Sequence, residues 1–216
     1  GLIKRIFKDV KDIDYTDVVD RITWNDAMLR YGNDKPDIRF GMELTNLKTV
    51  FEGQTGNLAA QAIFEASGFK VFTEAETVLA ITVPGCNEYT RKQTDELTDW
   101  VKRPQIGMNG LVFIKCNTDG SFKSSADKFF DESQLTNLAA ICGAGAGDLI
   151  LILAGREERT RKATSELRLE MGERLGKRRK DEFKLLWVLD FPLFEYAEDD
   201  NRWVARHHPF TSPKPD

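Results

Sequence analysis

The sequence predicts an α+β fold: a two-layer module of helices packed on an antiparallel sheet, flanked by incomplete pieces of another domain. Three observations carry that prediction. Capped amphipathic helices are interspersed with short apolar runs such as "TVLAITV", "GLVFIKC" and "DLILILAG". The turn "NTDG" joins "GLVFIKC" directly to a second strand candidate, "GSFKSS", and its Asp-Gly suits a tight hairpin, so the strands pair antiparallel. Outside residues 45–155 stand apolar segments, "LLWVLDFPLFEY" above all, whose partners are missing from the neighbouring sequence.

Taken in order, "ITWNDAMLRYG" reads as a short helix, with Thr23 as cap, Asp26 completing a capping-box pattern and Gly32 as the left-handed stop. Pro36 fixes its own φ and pushes Lys35 toward extended geometry, so 33–37 is expected to be a rigid exposed loop. "NLAAQAIFEASG" is a helix capped by Asn57 and stopped by Gly68, with Leu58, Ala62 and Ala66 on one face; "FKVFT" and "TVLAITV" follow as strands. "YTRKQTDELTDWVKRP" is a helix with a Thr90/Gln93 capping box and an inner face of Leu97, Trp100 and Val101. After the "GLVFIKC"/"GSFKSS" hairpin, "SQLTNLAAICG" is expected as a helix from Ser133 to Gly143, and "DLILILAG" as a buried strand. Ala163, Leu167, Met171 and Leu175 recur every four residues, which makes a long amphipathic helix ending at Gly176, with the basic turn "GKRRKDE" beyond it. "LLWVLDFPLFEY" and "RWVARHHPF" are two strand candidates joined by the acidic turn "AEDDN", which puts the histidines near the end of a sheet.

Composition narrows the function classes. With 31 basic against 35 acidic residues and a net charge of −4, the chain has no broad basic field for nucleic acid, so any RNA contact must be local. Cys86, Cys116 and Cys142 are odd in number and form no CxxC, which argues against a disulfide framework or a zinc knuckle and suits a reducing cytoplasm. No apolar run approaches the roughly 20 residues needed to span a bilayer. Both ends are expected to be cut, since the chain opens on Gly and closes on "SPKPD".

Few residues are candidates for chemistry. His207 and His208 are the only histidines, and neighbours on a strand point to opposite faces, so one metal could not take both without a bend. Spacing alone favours a structural or surface pair; the functional alternative is one imidazole facing an anionic substrate. "CGAGAGDLI" has its glycines after a helix and before a strand, the reverse of a dinucleotide loop, and reads as a helix stop and turn. "YTRKQ" and "KRRK" read as solvated helix ends, with a phosphate contact as the alternative. Asp34, Lys35, Asp37 and Arg39 could pair among themselves or hold a loop against a ligand; pairing is favoured.

"RYGNDKPDIRFGMEL", "TRKQTDELTDWVK", "ELRLEMGERLG", "LWVLDFPLFEY" and "HHPFTSPKPD" occur in an order and spacing that resemble bacterial-type aspartyl-tRNA synthetases from about Arg21 to Asp216. The resemblance implies a class II synthetase, which activates L-aspartate with ATP and Mg2+ to aspartyl-adenylate and transfers it to the tRNA 3′ end. It implies that residues 45–155 are the inserted α+β unit, the GAD domain shared with amidotransferase B/E subunits. Residues 1–44 would then be a catalytic-domain segment, 156–184 a helix and turn returning to that domain, and 185–216 its strands. It further implies His207 as an aspartate contact and His208 as its neighbour toward the phosphates, with no metal ligand and no catalytic residue assigned. Motif 2 and motif 3 of the class are not in this sequence, so the isolated chain is expected to be inactive and monomeric, although the parent enzymes are dimers. A free-standing tRNA- or protein-binding module is the alternative, and strong independent RNA binding is not expected from the acidic balance.

Overall fold

The computed structural model describes residues 1–51, 54–197 and 201–205. The chain begins with α1 (Leu2–Lys11), β1 (Asp20–Thr23) and α2 (Trp24–Tyr31). Thr23 ends the strand and caps the helix, its hydroxyl accepting from the Asp26 amide at 3.0 Å, and Gly32 stops α2 at φ 67°. β2 (Leu44–Lys48), a small hairpin of β3 (Val50–Phe51) and β4 (Gln54–Thr55), α3 (Leu58–Ser67) and α4 (Lys70–Thr73) come next. They lead into β5 (Thr77–Val83), α5 (Arg91–Lys102), β6 (Val112–Cys116) and β7 (Phe122–Ser124). α6 (Glu132–Ile141), β8 (Leu149–Gly155) and α7 (Glu157–Arg174) complete the central unit, and β9 (Leu186–Leu189), β10 (Phe194–Ala197) and β11 (Arg202–Ala205) follow.

Five strands form an antiparallel sheet in the order β2-β5-β8-β6-β7. β5 and β8 pair along their full length, from Thr77 with Gly155 to Val83 with Leu149, and both are apolar on both faces. Successive side chains point to opposite faces. Leu79, Ile81, Leu151 and Leu153 meet Leu97 and Val101 of α5 and Leu167 and Met171 of α7 on one side. Val78, Ala80, Ile150 and Ile152 meet Phe64 of α3, Phe72 of α4 and Leu138 of α6 on the other. The α+β class and antiparallel sheet are as expected, but helices cover both faces, so there are three layers where two are expected. The physical reason lies in the strands: a half-buried strand alternates polar with apolar, whereas "LILILA" has no polar side to offer water.

Several local expectations are corrected. "FKVFT" is one turn of helix, α4, because Phe69 and Phe72 must lie on the same face to stack on each other at 4.9 Å and join Phe64 and Phe130. A strand would have split them. α6 is capped not by Ser133 but by Asp131, which exchanges backbone-to-side-chain bonds with Gln134 at 2.8 and 3.0 Å. Leu58, Ala62 and Ala66 share a face of α3, but it is the outer one: Leu58 is 74% exposed, while Ala60 and Phe64 pack on the sheet. "LLWVLDFPLFEY" is two strands, broken where Asp190 turns at φ 57° before Phe191 and Pro192. α1, β1 and β2 through β4 were not anticipated, being short or amphipathic without caps.

The Thr90/Gln93 capping box of α5, the β6–β7 hairpin and the helix from 157 with Ala163, Leu167 and Met171 buried are all as expected. The "AEDDN" turn lies partly outside the described residues.

Candidate functional site

His207 and His208 lie outside the described residues, and β11 ends at Ala205, two residues before His207. What the structure does place is the framework leading to them. β1 and β9 come from opposite sides of the central unit and pair in parallel, Asp20 with Leu186 through Thr23 with Leu189. The Leu185 amide donates to the Tyr15 hydroxyl at 3.0 Å, Lys184 pairs with Asp17 at 2.8 Å, and the Phe7 and Phe183 rings meet edge-on at 5.0 Å. The two flanks are therefore one assembled unit.

A buried cluster of arginines joins that unit to the central one. Arg168 of α7 is 1% exposed and lies between the Tyr31 and Phe40 rings, its guanidinium carbon 4.8 and 4.2 Å from their centroids. Its Nη2 donates to the carbonyls of Asp37 (2.9 Å) and Phe40 (2.7 Å), and its Nε to that of Gly41 (3.0 Å). Two helical turns earlier, buried Arg161 donates to the Met28 carbonyl at 3.0 Å and to Glu157. Burial pulls the Arg168 pKa below its ordinary value, against the charges of Asp37 and Glu43, yet a guanidinium stays protonated throughout the working range.

Around that core, of the four loop residues expected to pair among themselves, Asp37 and Arg39 do so. Arg39 forks onto Asp37 through Nε (2.9 Å) and Nη2 (2.6 Å), and Arg178 reaches the same carboxylate at 3.3 Å. Arg30 forks onto Glu43 at 2.9 and 2.6 Å, and the Tyr31 hydroxyl donates to it at 3.1 Å. The loop is less exposed than expected, with only Lys35 fully so among 33–37, because α7 and the basic turn lean on it. "KRRK" is accordingly not only a solvated helix end: Arg178 is engaged by Asp37, whereas Arg91 in "YTRKQ" faces solvent with a loose 3.7 Å approach to Asp95.

Burial alone would raise the Asp37 pKa, but the bonds from Arg39 and Arg178 outweigh it and hold the carboxyl down to about 2. A depressed carboxylate stabilises the fold above its unfolded pKa, near 4, and that contribution is lost as pH falls from about 4 through 2. Asp37→Asn is expected to cost about 2 kcal/mol at pH 7 and progressively less below pH 4. Urea unfolding of both proteins from pH 7 to pH 2.5 checks this; a gap that stays constant with pH would contradict it.

The remaining candidates are structural. The glycine-rich turn carries Gly143 at φ 62° after α6, and Asp148 accepts from the amides of Gly145 (2.9 Å) and Gly85 (3.1 Å). The three cysteines are free and buried, and burial pushes the Cys116 thiol up to about 11 and that of Cys142 to about 12, so neither is a nucleophile near neutrality. Among the described residues no three His, Cys, Asp or Glu side chains converge as a metal site would require.

Sequence reasoning missed Arg161 and Arg168, since arginines on a helix read as its wet face. The available signal was the run Thr160, Thr164, Ser165 and Gly172 beside them, a stripe of small residues that lets another segment approach closely.

Residues 70–164 match the family model of the GAD domain. The match to it runs from α4 into α7 and stops at Thr164, so Arg168 stands just past it on the same helix. The similarity to named proteins extends further than the GAD domain. The chain is 48% identical over 216 residues to the aspartate–tRNA ligase of Flavobacterium psychrophilum, covering 100% of this chain and 35% of that protein. It is 50% identical over 214 residues to that of Azobacteroides pseudotrichonymphae, covering 99% and 34%. It is 47% identical over 217 residues to that of Bacteroides fragilis, covering 100% and 35%. The chain thus spans about a third of the length of the curated relatives it matches, and both flanks of the GAD domain are included in the similarity.

Proposed function

We propose that this chain serves as the part of an aspartate–tRNA ligase in which a GAD domain interrupts the catalytic domain. The complete enzyme would activate L-aspartate with ATP and Mg2+ and pass the aspartyl group to the tRNA 3′ end. The observation that carries this reading is the continuous similarity through both flanks, which the fold brings together as the β1–β9 pair. A free-standing binding module would have no use for such a pair.

Exposed apolar side chains support the same reading. Leu2, Val10 and Val18 on the first flank and Trp187, Phe194 and Trp203 on the second are all more than half exposed, against Leu58 and Val71 in the central unit. Apolar surface concentrated in this way marks a covered interface; here the rest of the catalytic domain would cover it. ATP and Mg2+ are proposed for the complete enzyme, and no described residue is assigned to them.

His207 is proposed to donate a hydrogen bond to the aspartate carboxylate, with His208 beside it toward the phosphates; a fixed donor of this kind orients the acyl group for attack at the α-phosphate. His207→Ala in the full-length ligase is expected to raise the aspartate KM about tenfold or more, measured by aspartate-dependent ATP–pyrophosphate exchange. An unchanged KM would remove His207 from the site. This chain alone is expected to give no exchange, to bind cognate tRNA more weakly than micromolar and to be monomeric, whereas the complete enzyme would be a homodimer acting in the cytoplasm. No helix among the described residues is long and apolar enough to cross a membrane.

A further inference from the structure

We propose that Arg39, oriented by Asp37, is a positioning residue for the ligase reaction: it sets where the chain returns from the GAD domain into the β1–β9 sheet. The proposal rests on the ligase reading above and adds to it a residue that touches no substrate.

The geometry is that of a joint. Two arms of the Arg39 guanidinium are taken by Asp37 in a fork, which fixes its plane. The third nitrogen, Nη1, is left to donate to the backbone carbonyls of Arg179 and, at 3.4 Å, Glu182, residues 140 and 143 positions further on. Carbonyl acceptors mean that the path of the returning backbone is held, whichever side chains it carries. Arg178, from the same turn, donates at 3.3 Å to Oδ2 of Asp37, the oxygen that also accepts from Arg39 Nη2. The loop providing Asp37 and Arg39 is itself bolted to α7 by the three carbonyl bonds of Arg168. The returning turn is therefore fixed in the frame of α7, whose Leu167 and Met171 are packed into the core of the GAD sheet.

Consequences for the site follow from distance along the chain. Glu182 is four residues before Leu186, the first residue of β9, a reach of at most about 14 Å. Other ties on this segment come from the first flank: the Phe7–Phe183 ring contact reaches only α1, and the Lys184–Asp17 pair is half exposed, and exposed pairs contribute little. The Tyr15 bond to Leu185 comes from the flank and cannot transmit the position of the GAD domain. From β9 the chain turns at Asp190 into the β10–β11 hairpin, which ends at Ala205. Loss of the Arg39 fork would thus loosen the entry to β9 without touching the β5–β8 core.

The test is made in the full-length ligase with Arg39→Gln, and with Leu138→Ala, on α6 in the GAD core, as a control that destabilises without touching the joint. Arg39→Gln is expected to raise the aspartate KM about fivefold or more, to leave the ATP KM within about twofold and to speed hydrogen exchange at the β9 amides. Leu138→Ala should leave the aspartate KM and β9 exchange as in the unmodified enzyme. If Arg39→Gln fails to fold, Asp37→Asn carries the same test, since it weakens the fork with no change in volume. A normal aspartate KM and normal β9 exchange in the folded variant, or equal changes with Leu138→Ala, would overturn the joint while leaving the ligase reading intact. Absence of aspartate-dependent exchange in the unmodified full-length protein would instead overturn the ligase reading, and β9 exchange alone would then decide whether Arg39 holds the returning chain.

Discussion

Arg168→Ala is expected to lower the unfolding free energy of this chain by roughly 3–5 kcal/mol, seen as a lower urea midpoint with an unchanged slope. Three backbone carbonyls, those of Asp37, Phe40 and Gly41, accept from this one side chain. Truncation leaves these acceptors without their donor, and that of Phe40 is buried. It also empties the slot between the Tyr31 and Phe40 rings, adding a cavity term to the lost bonds. Arg168→Lys should recover only part of the loss, because one ammonium group cannot match a planar fork that serves three acceptors and stacks on two rings. A cost below about 1 kcal/mol, the size of one ordinary hydrogen bond, would mean that water replaces the guanidinium, and the cluster would not be rigid.

Gly172→Ala is expected to be destabilising by about 1–3 kcal/mol, even though alanine is the better helix former by about 1 kcal/mol. A Cβ on Gly172 would stand 2.5 Å from Cζ of Phe40 and 2.9 Å from its Cε atoms, well inside contact distance. Phe40 cannot simply swing aside, since its other face is held by Arg168. The clash is thus between one ring and one hydrogen-sized gap on α7, and a smaller ring partner should relieve it. In a double-mutant cycle with Phe40→Leu, the pair should be more stable than the sum of the single changes predicts, by about 1 kcal/mol or more. Simple additivity would show that α7 shifts to accommodate the methyl group and that Gly172 is not what sets the spacing between helix and loop.

Legibility in the sequence followed the range of the interactions involved. Thr90 with Gln93, Asn57 with Ala60 and Gly32 at the end of α2 are contacts within four residues, and each was readable because its partner stands beside it in the chain. The "NTDG" hairpin was readable for the same reason. Phe69 and Phe72 misled because alternation and a single helical turn look alike over five residues, and only Phe64 and Phe130, brought in by other helices, decide between them. Leu58, Ala62 and Ala66 share a face as the spacing indicates, but spacing defines a stripe without saying which way it faces.

The joint was the least legible part. Asp37 and Arg39 are two residues apart and their pairing was anticipated; Arg168 and Arg178 are more than a hundred positions away and were not. By itself the sequence determined the α+β class, the antiparallel pairing, most helix boundaries and the kinship carried by its motifs, all of them encoded in neighbouring residues. Tertiary structure alone decided that both faces of the sheet are covered, that β1 and β9 meet, and that arginines on α7 lie buried among carbonyls. Those outcomes depend on which surfaces exclude water together, and burial turns an arginine that reads as surface into the bolt between two parts of the chain.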